Sequence, residues 1–279
     1  MYTLTMFKKL ESLFRRLIPK RLSTHRVYTN ALNGKQGLEI GGPSPLFGEQ
    51  GFLPVYSVIK GLDACNFSSD TMWEGRIKEG NTFQFGNKTG HQFIADGSCL
   101  DFIRDRKYDF ILSSHSLEHM ANPIKALQEW KRVLKDNGYI LLVLPHKDQT
   151  FDHQRPVTTM SHLLEDLKNE TGEDDQTHFE EILDLHDLNR DSHVPDRTYL
   201  KNRTVKNFEI RGVHHHVFNT PLVVQIADFM QLQILDINHF NPFNITALLQ
   251  KSGSYDNSSY FEKSNPVFSK EKFPSDKTW

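Results

Sequence analysis

The sequence predicts an α/β chain organised around one mostly parallel sheet, and three observations carry that expectation. From about residue 37, short apolar runs alternate with loops and helical stretches, the pattern of parallel strands joined by crossovers. Most of these runs stop at glycine or a polar residue, and one intervening helix has both ends marked. At 279 residues the chain is long enough for one large domain with additions and a ligand pocket.

The strands fall at Gly37–Gly41, near Val55–Asp63, and at Gln92–Asp96, Tyr108–Ser114 and Tyr139–Leu144. A helix over Pro123–Lys135 joins the fourth strand to the fifth. Pro123 suits its first turn, Ile124, Leu127, Trp130, Val133 and Leu134 share one face, and Gly138 follows its end. A second helix, Pro221–Met230, precedes strands near 231–240 and 244–250. Residues 1–30 read as a basic amphipathic extension and 31–250 as the main domain. Within that domain 146–212 form a His- and acid-rich helical insertion or lid, and 251–279 read as a loose polar tail. Inside the insertion, Gln176–Arg190 suggests a helix with Phe179, Ile182, Leu183 and His186 on one stripe.

A net charge of -2 gives no global reason to expect nucleic acid as a partner. Cys65 and Cys99 are the only thiols, too few for a disulfide scaffold or a four-cysteine zinc site, so a reducing, cytoplasmic setting is expected. No apolar run approaches the roughly 18 residues of a membrane span. In residues 5–21, Phe7, Leu10, Phe14, Leu17 and Ile18 recur at helical spacing among Lys8, Lys9, Arg15 and Arg16. Such a helix either docks its apolar stripe on the domain or makes peripheral contact with an anionic inner-membrane surface.

Ligands of open parallel sheets bind beyond the carboxyl ends of the strands, so the strand ends are where function should sit. The first ends in Gly41-Gly42, whose lack of side chains lets a ligand approach the backbone closely. A dinucleotide loop would need G-x-G-x-x-G and free N–H groups for pyrophosphate. Here Pro43 and Pro45 remove donors and Glu39 repels phosphate. Glu39 suits instead a phosphate-free sulfonium ligand with an amino-acid tail, S-adenosylmethionine, whose positive charges it can meet directly or through water. Asp63 stands about 20 residues after the glycines, where an acid commonly accepts bonds from ribose hydroxyls. Asp96, followed by Gly97 and Ser98, is placed to accept a bond from an adenine amino group.

The ordered motifs LEIGGPSP, GLDACNF, FIADGS, YDFILSSHSLEH and GYILLVLPHKDQTFDH resemble those of class I S-adenosylmethionine-dependent methyltransferases, specifically the methyltransferase type 11 group, over about residues 37–250. The resemblance implies a Rossmann-like seven-stranded sheet in the order 3-2-1-4-5-7-6, the seventh strand antiparallel, with helices on both faces. It assigns S-adenosylmethionine as cofactor to Glu39, Gly41, Gly42, Asp63, Asp96 and Gly97, and turns Ser113 to His115 toward the methionine half. The chain departs from the general E-x-G-x-G-x-G pattern at Pro43 and Pro45, and the segment that follows is too broken for a long first helix.

Methyl transfer is an in-line displacement in which positioning supplies much of the acceleration, and a hydroxyl acceptor also needs a base. The expected bases are His115, just past the fourth strand, and His153, in the segment Phe151–Thr159 that is expected to line the acceptor side with Asp152 and Arg155. His115-Ser116-Leu117-Glu118-His119 spells the H-x-x-E-H of a zinc peptidase. It follows a strand directly rather than lying on a helix, which tells against a peptidase; the resemblance implies that the L-E-H element closes the fourth strand over the cofactor, so Glu118 and His119 read as structural or cofactor-shell residues. Nine of the 14 histidines lie between His146 and His216, yet no pair has an exclusive ligand spacing, so hydrogen bonding rather than a metal is expected. The expected function is methylation of an oxygen, less so a nitrogen, on a small-molecule or glycan-like acceptor. The rivals are a catalytically silent cofactor-binding regulatory module and an NAD-dependent oxidoreductase.

Overall fold

The computed structural model describes residues 19–268 and 273–277; the amphipathic stretch expected over residues 5–18 lies outside them. Helix α1 (His25–Leu32) leads into strand β1 (Gln36–Ile40), then β2 (Gly61–Asn66), a small hairpin of β3 (Asp70–Thr71) and β4 (Gly75–Arg76), and strands β5 (Gly80–Phe85), β6 (Lys88–Ile94) and β7 (Tyr108–Ser114). Helix α2 (Pro123–Val133) crosses over to β8 (Leu134–Pro145). The insertion follows as α3 (Met160–Asn169), α4 (Phe179–Leu185), α5 (Arg197–Val205) and α6 (Asn207–Ile210), before α7 (Thr220–Phe229), β9 (Gln233–Phe240) and β10 (Asn244–Gln250).

The main sheet runs β5-β6-β2-β1-β7-β8-β10-β9. From β6 onward this is the expected 3-2-1-4-5-7-6 order, with β10 antiparallel to both β8 and β9. The eighth strand, β5, pairs antiparallel with β6 through a turn at Gly86, where φ is 57°. Two buried apolar clusters sandwich the sheet, one built on Ile111, Trp130, Ile140 and α7, the other on Tyr28, Phe47, Leu62, Phe110 and Leu141.

Helix boundaries follow their capping chemistry. Asn122 accepts from the Lys125 N–H ahead of Pro123, and Asn219 accepts from Leu222 N–H ahead of Pro221, so both crossover helices start where predicted. Other boundaries moved. The strand expected near Val55–Asp63 begins only at Gly61, because Val55, Tyr56 and Ile59 are buried in turns against the α1 side of the sheet; their apolar character marks core, not strand. The helix expected over Gln176–Arg190 stops at Leu185, and Asp187 then caps a separate turn at Leu188–Arg190. The segment after β1 is the single 3-10 turn Pro45–Phe47, as its prolines require. The expected loose tail is instead partly packed. Val267, Phe268 and Phe273 are buried, and Asp276, 1% exposed, accepts from the backbone N–H and hydroxyl of Thr220. No helix among the described residues is long and apolar enough to cross a membrane.

Candidate active site

The carboxyl ends of β1, β2, β6 and β7 open into a cavity of about 820 Å³, roofed by the insertion residues Arg190–His193, Arg203 and Gly212. Gly41, Pro43, Ser44 and Pro45 form one wall. Gly41 has φ 76°, and a Cβ there would collide with the Ser116 hydroxyl, whose Oγ donates to the Ile40 carbonyl at 3.0 Å. Gly42 is excluded from any larger residue by the Glu39 carboxyl directly beneath it.

Glu39 is placed differently from the sequence expectation. It is 1% exposed and absent from the cavity wall; its Oε1 accepts from Ser44 N–H (2.9 Å) and its Oε2 from the Tyr56 hydroxyl (2.7 Å). Burial pushes its pKa up to about 8, against the lowering effect of those two bonds. Glu39 therefore clamps the loop from below rather than meeting a sulfonium directly.

Asp63 is corrected outright. The β1–β2 register pairs Leu38 with Asp63 and Ile40 with Cys65, which puts Asp63 below the strand end, outside the cavity. Its carboxylate is taken up by the Tyr108 hydroxyl (2.7 Å), the His91 N–H (3.1 Å) and Lys107 (3.7 Å). From β2 and the residue after it, Cys65, Asn66, whose side-chain amide donates to the Gly42 carbonyl at 2.9 Å, and Phe67 reach the cavity. Asp96 and Gly97 do line the cavity. Asp96 accepts from Ser98 N–H (2.8 Å), Ser98 Oγ (2.7 Å) and Arg211 (2.9 Å); burial raises its pKa, but these partners outweigh it and keep the carboxyl ionised. Trp130 Nε1 donates to the Gly97 carbonyl at 2.8 Å and fixes that turn.

At the end of β7, Ser113 points into the protein, 1% exposed, whereas Ser114, His115 and Ser116 line the cavity. His115 sits at φ 51°, its Nε2 donating to Asn244 Oδ1 (2.9 Å) and its Nδ1 3.3 Å from Glu118. Burial pulls its pKa down, but two acceptor partners more than offset that and leave it above the ordinary value. His115 thus reaches the predicted site as a group held toward its cationic form, with both nitrogens engaged.

His153 does not reach the cavity wall; its Nε2 faces Asp187 at 3.0 Å. Asp152 turns instead to His214, 62 residues later, accepting from its Nδ1 at 2.6 Å, and also from buried Arg155 at 2.9 Å. Arg155, 1% exposed, further bonds Glu181 and the carbonyls of His214 and His215. His214 lines the cavity beside His119, whose Nδ1 donates to the Val213 carbonyl at 2.8 Å and whose pKa burial pushes down to about 3. Glu118, fully buried, lies among them. Burial raises its pKa, while His115, His119 and His214 together bring it below the ordinary value. The chain reads His214 only through a return across the whole insertion, and no local spacing announces it.

Three groups of described residues present several ligand atoms within 4.8 Å of one another: Glu118, His119 and His214; His162, His178 and His216; and His146, His239 and Asp276. The last is knitted by hydrogen bonds, with His146 Nε2 2.9 Å from Asp276 and Thr220 closing the remaining carboxylate positions. The first belongs to the cavity.

A family model described as a methyltransferase domain matches residues 6–201. Among curated proteins the chain is similar to the ubiquinone biosynthesis O-methyltransferase of Pasteurella multocida (strain Pm70), with 26% identity over 126 residues, 44% of this chain and 52% of that protein. The match thus spans about half the length of that relative. Among solved structures it is similar to an S-adenosylmethionine-dependent methyltransferase from Mesorhizobium loti (12% identity, 81% of this chain and 95% of that one, TM-score 0.47). It is likewise similar to the 1,6-didemethyltoxoflavin-N1-methyltransferase of Burkholderia thailandensis, solved with 1,6-didemethyltoxoflavin and S-adenosylhomocysteine (10% identity, 82% and 79% covered, TM-score 0.44).

Proposed function

The chain belongs to the methyltransferase domain family, whose class I members use S-adenosylmethionine, and from that premise we propose that it methylates an oxygen of a small-molecule or glycan-like acceptor bound in the cavity. Bound S-adenosylmethionine would supply an electrophilic methyl group. The loop Gly41–Pro45, with Asn66, Phe67, Asp96 and Gly97, fits its nucleoside and amino-acid ends: the Gly41 backbone can approach a ligand closely, and Asp96 is an ionised acceptor at the rim. The loop does not suit the pyrophosphate of NAD. It carries two prolines and runs into a three-residue 3-10 turn instead of a helix N-terminus.

The observation that carries the reading is His214 at the cavity wall, backed by buried Asp152. With its Nδ1 facing the Asp152 carboxylate at 2.6 Å, His214 leaves Nε2 to meet an acceptor hydroxyl, the base-plus-orienter arrangement of general-base catalysis. His115, tied to Glu118 and Asn244 and held toward its cationic form, lines the same cavity and suits an acceptor that becomes negative as its proton leaves. The experiment is a transfer screen with labelled S-adenosylmethionine against hydroxylated small molecules and saccharides, followed by kinetics of His214→Asn. Turnover should collapse while S-adenosylhomocysteine binding is kept; unchanged kcat would remove His214 as the base.

A further inference from the structure

Outside the cavity, four side chains of the insertion and its return segment converge: His162 and Asp166 from α3, His178 at the start of α4, and His216 just before α7. None of them lines the cavity. His162 Nε2 and His178 Nε2 face each other at 3.1 Å, and Asp166 Oδ2 lies 3.5 Å from His162 Nε2 and 3.7 Å from His216 Nε2. The three imidazoles each offer a nitrogen within 4.8 Å of the others.

Hydrogen bonds alone leave this cluster unfinished. Asp166 is 8% exposed; its Oδ1 accepts from the Thr171 hydroxyl at 3.0 Å, but its Oδ2 is buried without a hydrogen-bond donor. His216, 1% exposed, donates Nε2–H to the Ala121 carbonyl at 3.1 Å and leaves Nδ1 buried with no hydrogen-bond partner. A buried carboxylate oxygen and a buried ring nitrogen without partners carry a desolvation cost that a cation would remove. Asp175 and His215 approach the same region at 3.8 Å from each other, which adds a second carboxylate.

We propose that His162, His178, His216 and Asp166 bind one divalent transition-metal ion, zinc by ligand preference, that staples the insertion to the segment carrying His214. Bonds of about 2.0–2.1 Å to a tetrahedral ion set ligand atoms roughly 3.3 Å apart, and the contacts of His162 Nε2 with His178 Nε2 (3.1 Å) and with Asp166 Oδ2 (3.5 Å) bracket that spacing, while His216, its Nε2–H held by the Ala121 carbonyl, presents Nδ1. Three imidazoles and one carboxylate, without thiolate, suit zinc rather than calcium or magnesium. The Ala121 carbonyl and Thr171 hydroxyl orient two of the ligands, the usual outer support of a metal site.

The test is metal analysis of the full chain after growth or reconstitution with Zn²⁺, together with the visible spectrum of the Co²⁺-loaded protein. The expected result is one tightly held equivalent, a tetrahedral Co²⁺ spectrum, and a Tm that falls when a chelator removes the ion. His178→Gln should lose the ion, and Thr171→Val, which keeps every ligand, should weaken Zn²⁺ affinity by roughly 10- to 100-fold. His214→Asn should retain it, because that side chain belongs to the separate cavity group. Absence of bound Zn²⁺ or Co²⁺ in the folded wild-type chain overturns the proposal, and so does metal lost with His214→Asn but kept in His178→Gln. These readouts are independent of methyl transfer, so failure of the catalytic reading would leave them standing.

Discussion

Glu39 gives the sharpest quantitative test, because its carboxyl is closed off from water beneath the loop that forms the donor wall. Its pKa rises from an ordinary 4.5 to about 8, burial outweighing the bonds from Tyr56 and Ser44. Since the folded value lies above the unfolded one, protonated Glu39 contributes fully below about pH 4.5. That contribution shrinks as pH rises through the interval up to about 8 and stays lost above it. One pKa unit corresponds to about 1.4 kcal/mol, so the difference across the interval is on the order of 4–5 kcal/mol for a group this deeply buried. Glu39→Gln keeps the volume and one acceptor oxygen while removing the titration. Urea unfolding of both proteins at pH 5, 6.5 and 8.5 isolates the term, because every other ionisable group cancels in the comparison. The wild type should lose stability relative to Glu39→Gln as pH rises, by several kcal/mol between pH 5 and 8.5. Parallel profiles would show that Glu39 ionises freely and that the clamp beneath Gly42 is not what the geometry implies.

Other consequences follow from the same contacts. Arg155→Met leaves Asp152 and Glu181 without their buried cation and should cost about 3–5 kcal/mol in urea unfolding; a loss within experimental error would show that the network is dispensable. Gly41→Ala places a side chain at φ 76° against Ser116 and should weaken S-adenosylhomocysteine binding, measured by calorimetry. Asp63→Ala should leave that affinity unchanged, while Asp96→Ala lowers it; the reverse ranking would restore Asp63 to the ribose and contradict the strand register.

The sheet was legible because its signals are local. The strand ends at Ile40, Ile94 and Ser114 are each followed within two residues by a glycine or polar residue, and Asn122-Pro123 and Asn219-Thr220-Pro221 announce helix starts by capping chemistry alone. The cofactor side was half legible for a related reason. A spacing of about twenty residues points to the second strand but not to the residue at its tip, and the parallel register leaves Asp63 outside the cavity while bringing Asn66 and Phe67 to it. Glu39 stands beneath the loop in a closed environment that the pattern did not show, since Tyr56, whose hydroxyl bonds its carboxyl, comes from turns that the apolar pattern disguised as strand.

The acceptor side was illegible for a different physical reason. Asp152 has His153 as its chain neighbour, yet bonds to His214, because Arg155 holds the carbonyls of His214 and His215 and draws the return segment across the mouth. Charge and hydrogen-bond pairing inside a low-dielectric region is decided by which segments burial brings together, and sequence distance carries no information about that. The 146–216 region is therefore tied together across its length: Asp152 and Arg155 at its start fix His214 at its end. His153, exposed to Asp187 on the outside, can be replaced by Gln without loss of turnover if that is so. A fall in kcat for His153→Gln equal to that of His214→Asn would mean that the loop after β8 moves into the cavity during turnover and that the pairing of Asp152 with His214 describes only its resting arrangement.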